Sequence, residues 1–170
     1  PQTHCEALRR VAASQVTPTM ALYLGLVVAL LFVVASSCRL TAQGSYYDEL
    51  HQATAAFAYV RGHPEPEMFA KVTLLGLPIL NMTYSGAIKT AIYGLFLRYS
   101  GAEFSVLSWR LLGILLVSSG LFVFCVLAGH RLPLVGLLVF LVFFLTDVTV
   151  VLATRHDWGP AALALVFRLL

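Results

Sequence analysis

The first long uncharged stretch of the chain is TMALYLGLVVALLFVVASSC, at residues 19–38. At about 1.5 Å per residue, a helix of this length spans roughly 30 Å, which is the thickness of a bilayer core. Arginines flank the stretch at Arg10 and Arg39. The apolar region of a signal peptide is shorter, at about 7 to 15 residues. The pattern therefore predicts a first transmembrane span over 19–38, preceded by a cytoplasmic tail at 1–18.

Two further apolar stretches follow later in the chain. They predict a second span over 109–130 and a third over 131–153, and the short link GHRLP between them predicts a tight helical hairpin. Asp147 interrupts the third stretch. An ionisable group inside a span is costly, so this residue is either functional or reaches the interface because the span ends early. Residues 154–170 predict an extracytoplasmic turn and the start of another helix.

The connection between the first two spans, 39–108, is mixed in character. Its segment 47–61 has good helix formers and small residues, and Gly62 and Pro64 end that helix. Its segment 83–101 has apolar residues at helical spacing with basic residues interleaved, and predicts a helix lying along the membrane surface. Short basic segments report orientation better than long loops do. The basic N-terminal tail and the short link between the later spans therefore place this connection outside the cytoplasm.

The composition places the excess apolar surface in lipid. The chain is 59% apolar and 11% charged, with a mean hydropathy of +0.86, whereas about a quarter of the residues in a soluble domain are charged. The predicted fold class is all-α: a polytopic integral membrane helical protein with three spans, in the plasma membrane. The net charge of +3 comes from scattered basic residues that form no stripe, which argues against nucleic-acid binding. The chain starts without Met and stops inside an apolar stretch, so we expect a fragment of a larger membrane domain.

Candidate chemistry depends on the few acidic residues. Asp48 and Glu49 are adjacent, and such a pair serves as a general base with a second acid that orients it or shares a metal ion. The alternative is that Asp48 caps a helix that begins there. Asp157 follows Arg155 and His156 after the third span. This sequence is either an interfacial turn with an Arg–Asp pair or an acid and a base on the same membrane side as Asp48.

Two basic side chains and the cysteines complete the candidates. Lys89, on the predicted surface helix, is either a cation that reaches lipid headgroups or a contact to a phosphate. His51 lies about one turn after Asp48 and either lines the same pocket or is polar surface. The three cysteines have no zinc-site spacing, and Cys125 is expected to pack as a small hydrophobic residue.

The order of these features resembles the GT-C superfamily of membrane glycosyltransferases, in particular the family 39 group of protein O-mannosyltransferases and aminoarabinose transferases. Members have a first span and then a large extracytoplasmic loop that opens with an acidic motif, here Tyr47-Asp48-Glu49. The stretch YSGAIKT at 84–90 resembles the segment that leads into a membrane-surface helix, and TRHDWGP at 154–160 matches a second acidic site. Many relatives carry an acidic or Lys-Pro element where this chain has YSGA.

The resemblance implies an inverting transfer of a sugar from a polyprenyl-phosphate donor to a lipid, glycan or protein acceptor outside the cytoplasm. Asp48 would act as base, and Glu49 and Asp157 would support its geometry, with a divalent metal ion in some members. Lys89 and Arg155 would bind the leaving phosphate. His51 would line the substrate pocket, and the carrier's isoprenoid tail would lie among membrane lipids in a groove between spans.

Two other classes of protein compete with this interpretation. A transporter or channel would use Asp147 in an ion path, but it would often show internal repeats and helices broken at mid-bilayer, and neither is visible in the sequence. A non-catalytic membrane scaffold would give the acidic residues no role. The grouping of nearly all acidic residues on one predicted membrane face favours the enzyme.

Overall fold

The structure is a computed structural model that describes residues 15–42, 44–59, 73–74, 77–78, 80–82, 85–86, 88–156 and 161–170. Helices account for most of these residues, which confirms the predicted helical fold. The helices are α1 (Pro18–Ser37), α2 (Tyr47–Thr54), α3 (Ile88–Ser100), α4 (Val106–Ala128), α5 (Leu134–Thr146), α6 (Val148–His156) and α7 (Ala161–Leu169). Two 3₁₀ turns, Ala55–Tyr59 and Gly129–Arg131, continue α2 and α4.

The connection between α2 and α3 contains four short strands that the all-α prediction did not include. They are β1 (Thr73–Leu74), β2 (Leu77–Pro78), β3 (Leu80–Met82) and β4 (Ser85–Gly86). β1 pairs with β2 and β3 pairs with β4, both antiparallel. Each pair is far too short to bury a hydrophobic face by itself, so the helices carry the fold.

Capping residues explain where the two longest helices begin. The side chain of Thr17 accepts a hydrogen bond from the backbone N–H of Met20 at 3.2 Å, and Pro18 occupies the first helical position of α1. Ser105 caps α4 in the same way through the backbone N–H of Ser108, at 3.1 Å. Because this cap lies at Ser105, the second long helix begins earlier than the apolar run alone indicates.

The main core lies where α1 packs against α4. A Cβ on Gly25 would stand 2.9 Å from the Cβ of Cys125, so the backbones of the two helices approach as closely as side chains allow here. The hydroxyl of Ser118 donates across the same interface to the carbonyl of Ala29 at 3.0 Å. Cys125 is fully buried among hydrophobic residues, which confirms its predicted packing role.

Among the described residues, two helical segments are long and apolar enough to cross a membrane, Pro18–Ser37 and Val106–Arg131. Helices α5 and α6 make a third crossing if they act as one span, although they are bent by 55° at the break between them. Asp147 occupies that break. Its carboxylate accepts hydrogen bonds from the backbone N–H groups of Thr149 (2.7 Å) and Val150 (3.3 Å), so it caps the start of α6.

A second, smaller core joins the loop helices to the start of α4. It contains Ala53, Ala56, Tyr93, Leu97 and Trp109. The hydroxyl groups of Tyr93 and Ser108 lie 2.6 Å apart, which ties α3 to α4 by a hydrogen bond. The side chain of Trp109 is only 1% exposed and lies inside this core.

Candidate functional site

The two ends of the helical bundle differ in what they contain. At one end, a backbone bridge joins Gln15 to Pro133 and brings the start of α1 next to the connection between α4 and α5. We call this the bridge end, and it comprises Gln15, Gly129–Arg131 and Pro133. At the other end, α1 and α6 finish and α4 begins, and α2 and α3 pack there. We call the latter the polar end, defined by Glu49, Lys89, Arg110, Arg155 and His156.

An ion pair between Glu49 and Arg110 lies at the centre of the polar end. The Nε and Nη2 groups of Arg110 donate to the two carboxylate oxygens of Glu49, each at 2.7 Å. Glu49 is 2% exposed and Arg110 is fully buried. This two-bond geometry gives the strongest kind of side-chain ion pair, and a buried guanidinium requires such a partner. The carboxylate also accepts from the backbone N–H of Tyr46 at 3.0 Å.

These contacts alter two expectations about the acidic motif. Helix α2 begins at Tyr47 with Tyr46 as its N-cap residue, so the interpretation of Asp48 as the cap is wrong. Glu49 closes the first turn instead, by accepting from the N-cap backbone. The side chain of Asp48 lies outside the described part of the structure. Glu49 therefore acts as a fixed partner of Arg110, with both oxygens already accepting hydrogen bonds.

Arg110 also binds the chain that leaves α1. Its Nη1 group donates to the carbonyl of Leu40, and its Nη2 group donates to the carbonyl of Gly44 at 2.9 Å. Arg39, just before this segment, has a left-handed backbone (φ 50°), and the chain turns away from α1 here. One guanidinium thus contacts Leu40 and Gly44 in the connection between α1 and α2, and Glu49 in α2 itself.

Lys89 lies inside the protein and not among lipid headgroups. The residue is 5% exposed, and its ammonium group is 3.8 Å from the centroid of the Trp109 ring. Such a cation over an aromatic face is stabilised by the ring quadrupole. A Cβ on Gly113 would stand 3.2 Å from the Lys89 ammonium and 3.1 Å from the carbonyl of Thr154. Because Gly113 has no side chain, the Lys89 side chain of α3 and the Thr154 carbonyl of α6 both approach α4 at this residue.

The end of α6 supplies the remaining polar side chains. The Nη2 group of Arg155 donates to the carbonyls of Cys38 (2.8 Å) and Arg39 (3.2 Å), which joins the ends of α1 and α6. His156 is 2% exposed, and its ring meets that of Tyr46 edge-on at 4.5 Å. Within the described residues, the Nδ1 of His156 and the Nε1 of Trp109 are buried and have no hydrogen-bond partner. Buried polar atoms without a hydrogen-bond partner are rare in folded proteins.

The structure brings some predicted site residues together and leaves others apart or undescribed. Glu49, Lys89 and Arg155 all lie at the polar end, where each of them contacts other residues of the protein. The ring of His51 packs edge-on against Tyr47 at 4.2 Å, and Tyr47 is largely exposed. Asp157 lies outside the described residues.

Sequence reasoning missed Arg110 and Trp109 as members of the site. Arg110 stands directly before a long uncharged run, so the sequence shows it only as part of the start of the second predicted span, 109–130. The available signal was that a helix capped at Ser105 includes Arg110 in its second turn. An arginine there must find an acidic partner, and the acidic residues of the preceding loop were the candidates.

No group of three or more potential metal ligands occurs among the described residues. Asp157 and the side chain of Asp48 lie outside these residues, so the metal ion that the family resemblance implies stays a prediction. No family model, curated protein or solved structure matches this chain.

Proposed function

We propose that this chain is the N-terminal part of a multi-pass plasma-membrane glycosyltransferase that takes its sugar from a polyprenyl-phosphate donor. The observation that supports the proposal is the meeting of remote segments at the polar end. Glu49 from α2, Lys89 from α3, Arg110 from α4 and His156 from α6 are all buried there. Buried charge at the end of apolar helices is costly, and it is typical of a site where a polar substrate meets the membrane surface.

The acidic helix supplies the chemistry in this proposal. Asp48 is the second residue of α2, next to the fixed carboxylate of Glu49. We assign Asp48 as the base that takes the proton of the acceptor hydroxyl while that oxygen attacks the anomeric carbon. The bond from the anomeric carbon to the phosphate oxygen breaks, and polyprenyl phosphate leaves with the bonding electrons. Glu49 is not assigned as the base because both of its oxygens already accept hydrogen bonds from Arg110.

The leaving phosphate needs a fixed positive charge. Lys89 is the best placed of the predicted phosphate contacts, because its ammonium is buried beside Trp109 with the unpaired Nε1 of that residue nearby in the same cluster. Arg155 already donates to two backbone carbonyls at the end of α1. We assign Lys89 to the phosphate because its ammonium is buried at the polar end beside Trp109, and we assign Arg155 to holding the helix ends together. Asp157 and a divalent metal ion stay predictions that depend on the family resemblance.

The test is a transfer assay with the complete protein that contains this chain, purified and supplied with polyprenyl-phosphate sugars. We expect Asp48→Asn to lower the release of polyprenyl phosphate by about 100-fold or more, as removal of a general base does. Glu103→Gln is the matched control, because Glu103 is an exposed acid on the same connection and makes no ion pair within the described residues. Full activity of Asp48→Asn would overturn the base assignment.

A transporter is the second candidate, and the break between α5 and α6 favours it. Transporters place substrate and ion sites at broken helices near the bilayer midplane, and Asp147 occupies such a break. However, its carboxylate caps α6, and its side chain is exposed. Asp147→Asn separates the candidates: the enzyme predicts unchanged sugar transfer, whereas the transporter predicts loss of coupled ion movement.

A further inference from the structure

Arg110 uses nearly all of its hydrogen-bonding capacity within the protein. A guanidinium has five N–H donors, and at least four of those of Arg110 donate to Leu40, Gly44 and the carboxylate of Glu49. The side chain is fully buried. A cation in this state is not available to a substrate phosphate unless these contacts first break.

The contacts of Arg110 connect a rigid helix to a segment with little support of its own. Helix α4 is fixed by its packing against α1, where Gly25 allows close approach and Ser118 donates to Ala29. None of the described residues from Leu40 to Tyr46 lies in a helix or strand, and α2 itself is only eight residues long. An isolated helix of that length is unstable in water, so tertiary contacts must fix its place.

Fixing Glu49 also fixes the backbone of its neighbour. Glu49 is the third residue of α2, its carboxylate receives two bonds from Arg110, and a third bond closes the first helical turn. The backbone of Asp48 lies within that turn. A displacement of about 1 Å at a reacting group costs on the order of 100-fold in rate.

We infer that Arg110 is a positioning residue: it acts through Glu49 and the Leu40 and Gly44 carbonyls to set the location of Asp48, and it does not bind the donor phosphate. The inference rests on the proposed function for its catalytic consequence. Its structural consequence, the order of α2, can be measured without any transfer. The variant of choice is Arg110→Lys, which keeps the positive charge but replaces the planar fork by a single ammonium group. The matched control is Arg98→Lys, at an exposed position of α3.

The first experiment measures backbone hydrogen exchange of the complete protein in detergent. In Arg110→Lys we expect the amides of α2 to exchange about 10-fold faster or more, because a local opening follows the loss of its contacts. The amides of α1 and the second half of α4 should exchange at the wild-type rate, which shows that the variant is folded. Unchanged exchange in α2 would overturn the inference, whatever the transfer assay shows.

The second experiment measures transfer kinetics of the same variants. We expect Arg110→Lys to lower kcat by about 10- to 100-fold with an unchanged KM for the lipid donor, because positioning affects the reacting geometry and not donor binding. Arg98→Lys should match the wild type in both values. A raised donor KM with an unchanged kcat would overturn the inference, since a phosphate ligand gives that result. If the wild-type protein transfers no sugar but Arg110→Lys still speeds exchange in α2, the proposed function is overturned. The positioning of α2 by Arg110 then still holds.

Discussion

The bridge end and the polar end of the bundle differ in the contacts that join their helices. Both must hold neighbouring helices together where the chain leaves the apolar interior. At the bridge end, a backbone contact between Gln15 and Pro133 and a short 3₁₀ turn are sufficient, and Arg131 there is exposed. At the polar end, the helices are joined through buried charged side chains, with Arg110 bonded to Glu49.

This difference has a physical meaning because buried charge does not by itself favour folding. Replacing a buried ion pair by well-packed hydrophobic residues is often neutral or stabilising, so such a pair is weak evidence for a purely structural role. Within its described residues, the bridge end joins helices without a buried charge. The buried charges of the polar end therefore indicate a function, which we propose to be sugar transfer.

The largest expected difference between the ends concerns their arginines. Arg110→Gln leaves Glu49 buried without its partner, and breaking such a pair costs about 3–5 kcal/mol. Arg131→Gln changes an exposed side chain at the bridge end and should cost less than about 0.5 kcal/mol. The measurement is the thermal unfolding midpoint of each variant in the same detergent. Equal midpoints for the two variants would show that the Glu49–Arg110 pair contributes no more than a surface residue.

A smaller loss of stability is expected from a substitution in the packing between α1 and α4, the two long helices that run from one end to the other. Gly25→Ala places a methyl group 2.9 Å from the Cβ of Cys125 and 3.3 Å from the carbonyl oxygen of Phe122, so the helices must separate. Overpacking of this kind costs about 1–3 kcal/mol. Gly136→Ala is the control, since that glycine is exposed on α5 and a Cβ there meets only Pro133 at 3.3 Å. A Gly25→Ala protein as stable as the control would contradict the close packing.

The smallest expected effect concerns the chemical labelling of cysteines, which does not depend on a change in stability. Cys38, at the polar end, is exposed, whereas Cys125 is buried in the core. In a Cys5→Ser background, we expect a maleimide to label Cys38 in the folded protein and to label Cys125 only after denaturation. A membrane-impermeant maleimide added to intact cells should also label Cys38, because we propose that the polar end faces outwards. Labelling of both cysteines at equal rates would contradict the packing of α1 on α4.

The sequence predicts the helical spans well because their signal is local. The uncharged stretch of bilayer length at residues 19–38 is enough to predict α1. The partner of Arg110 is not predictable in this way, since 61 residues separate it from Glu49. The location of Lys89 is hidden for a related reason: an amphipathic helix has the same pattern whether its polar side meets lipid headgroups or packs against Trp109.

Helix breaks and caps are only partly predictable from the sequence. Asp147 was recognised as an unusual group inside an apolar stretch, but the sequence did not show that its carboxylate would cap α6 at a 55° bend. The residue types of the acidic motif predict a site for chemistry there. Which of its two acids is fixed by an arginine depends on the tertiary packing of α2 against α4, which only the structure supplies.

We propose that the polar end is the reactive end of the molecule and faces out of the cell. Sugar transfer by the complete protein in membrane vesicles of known orientation tests it most directly, with an acceptor that cannot cross the bilayer. We expect sugar transfer when the acceptor is on the face that corresponds to the cell exterior, and we expect Asp48→Asn to abolish that transfer. Transfer on the cytoplasmic face, or transfer that Asp48→Asn leaves intact, would contradict it.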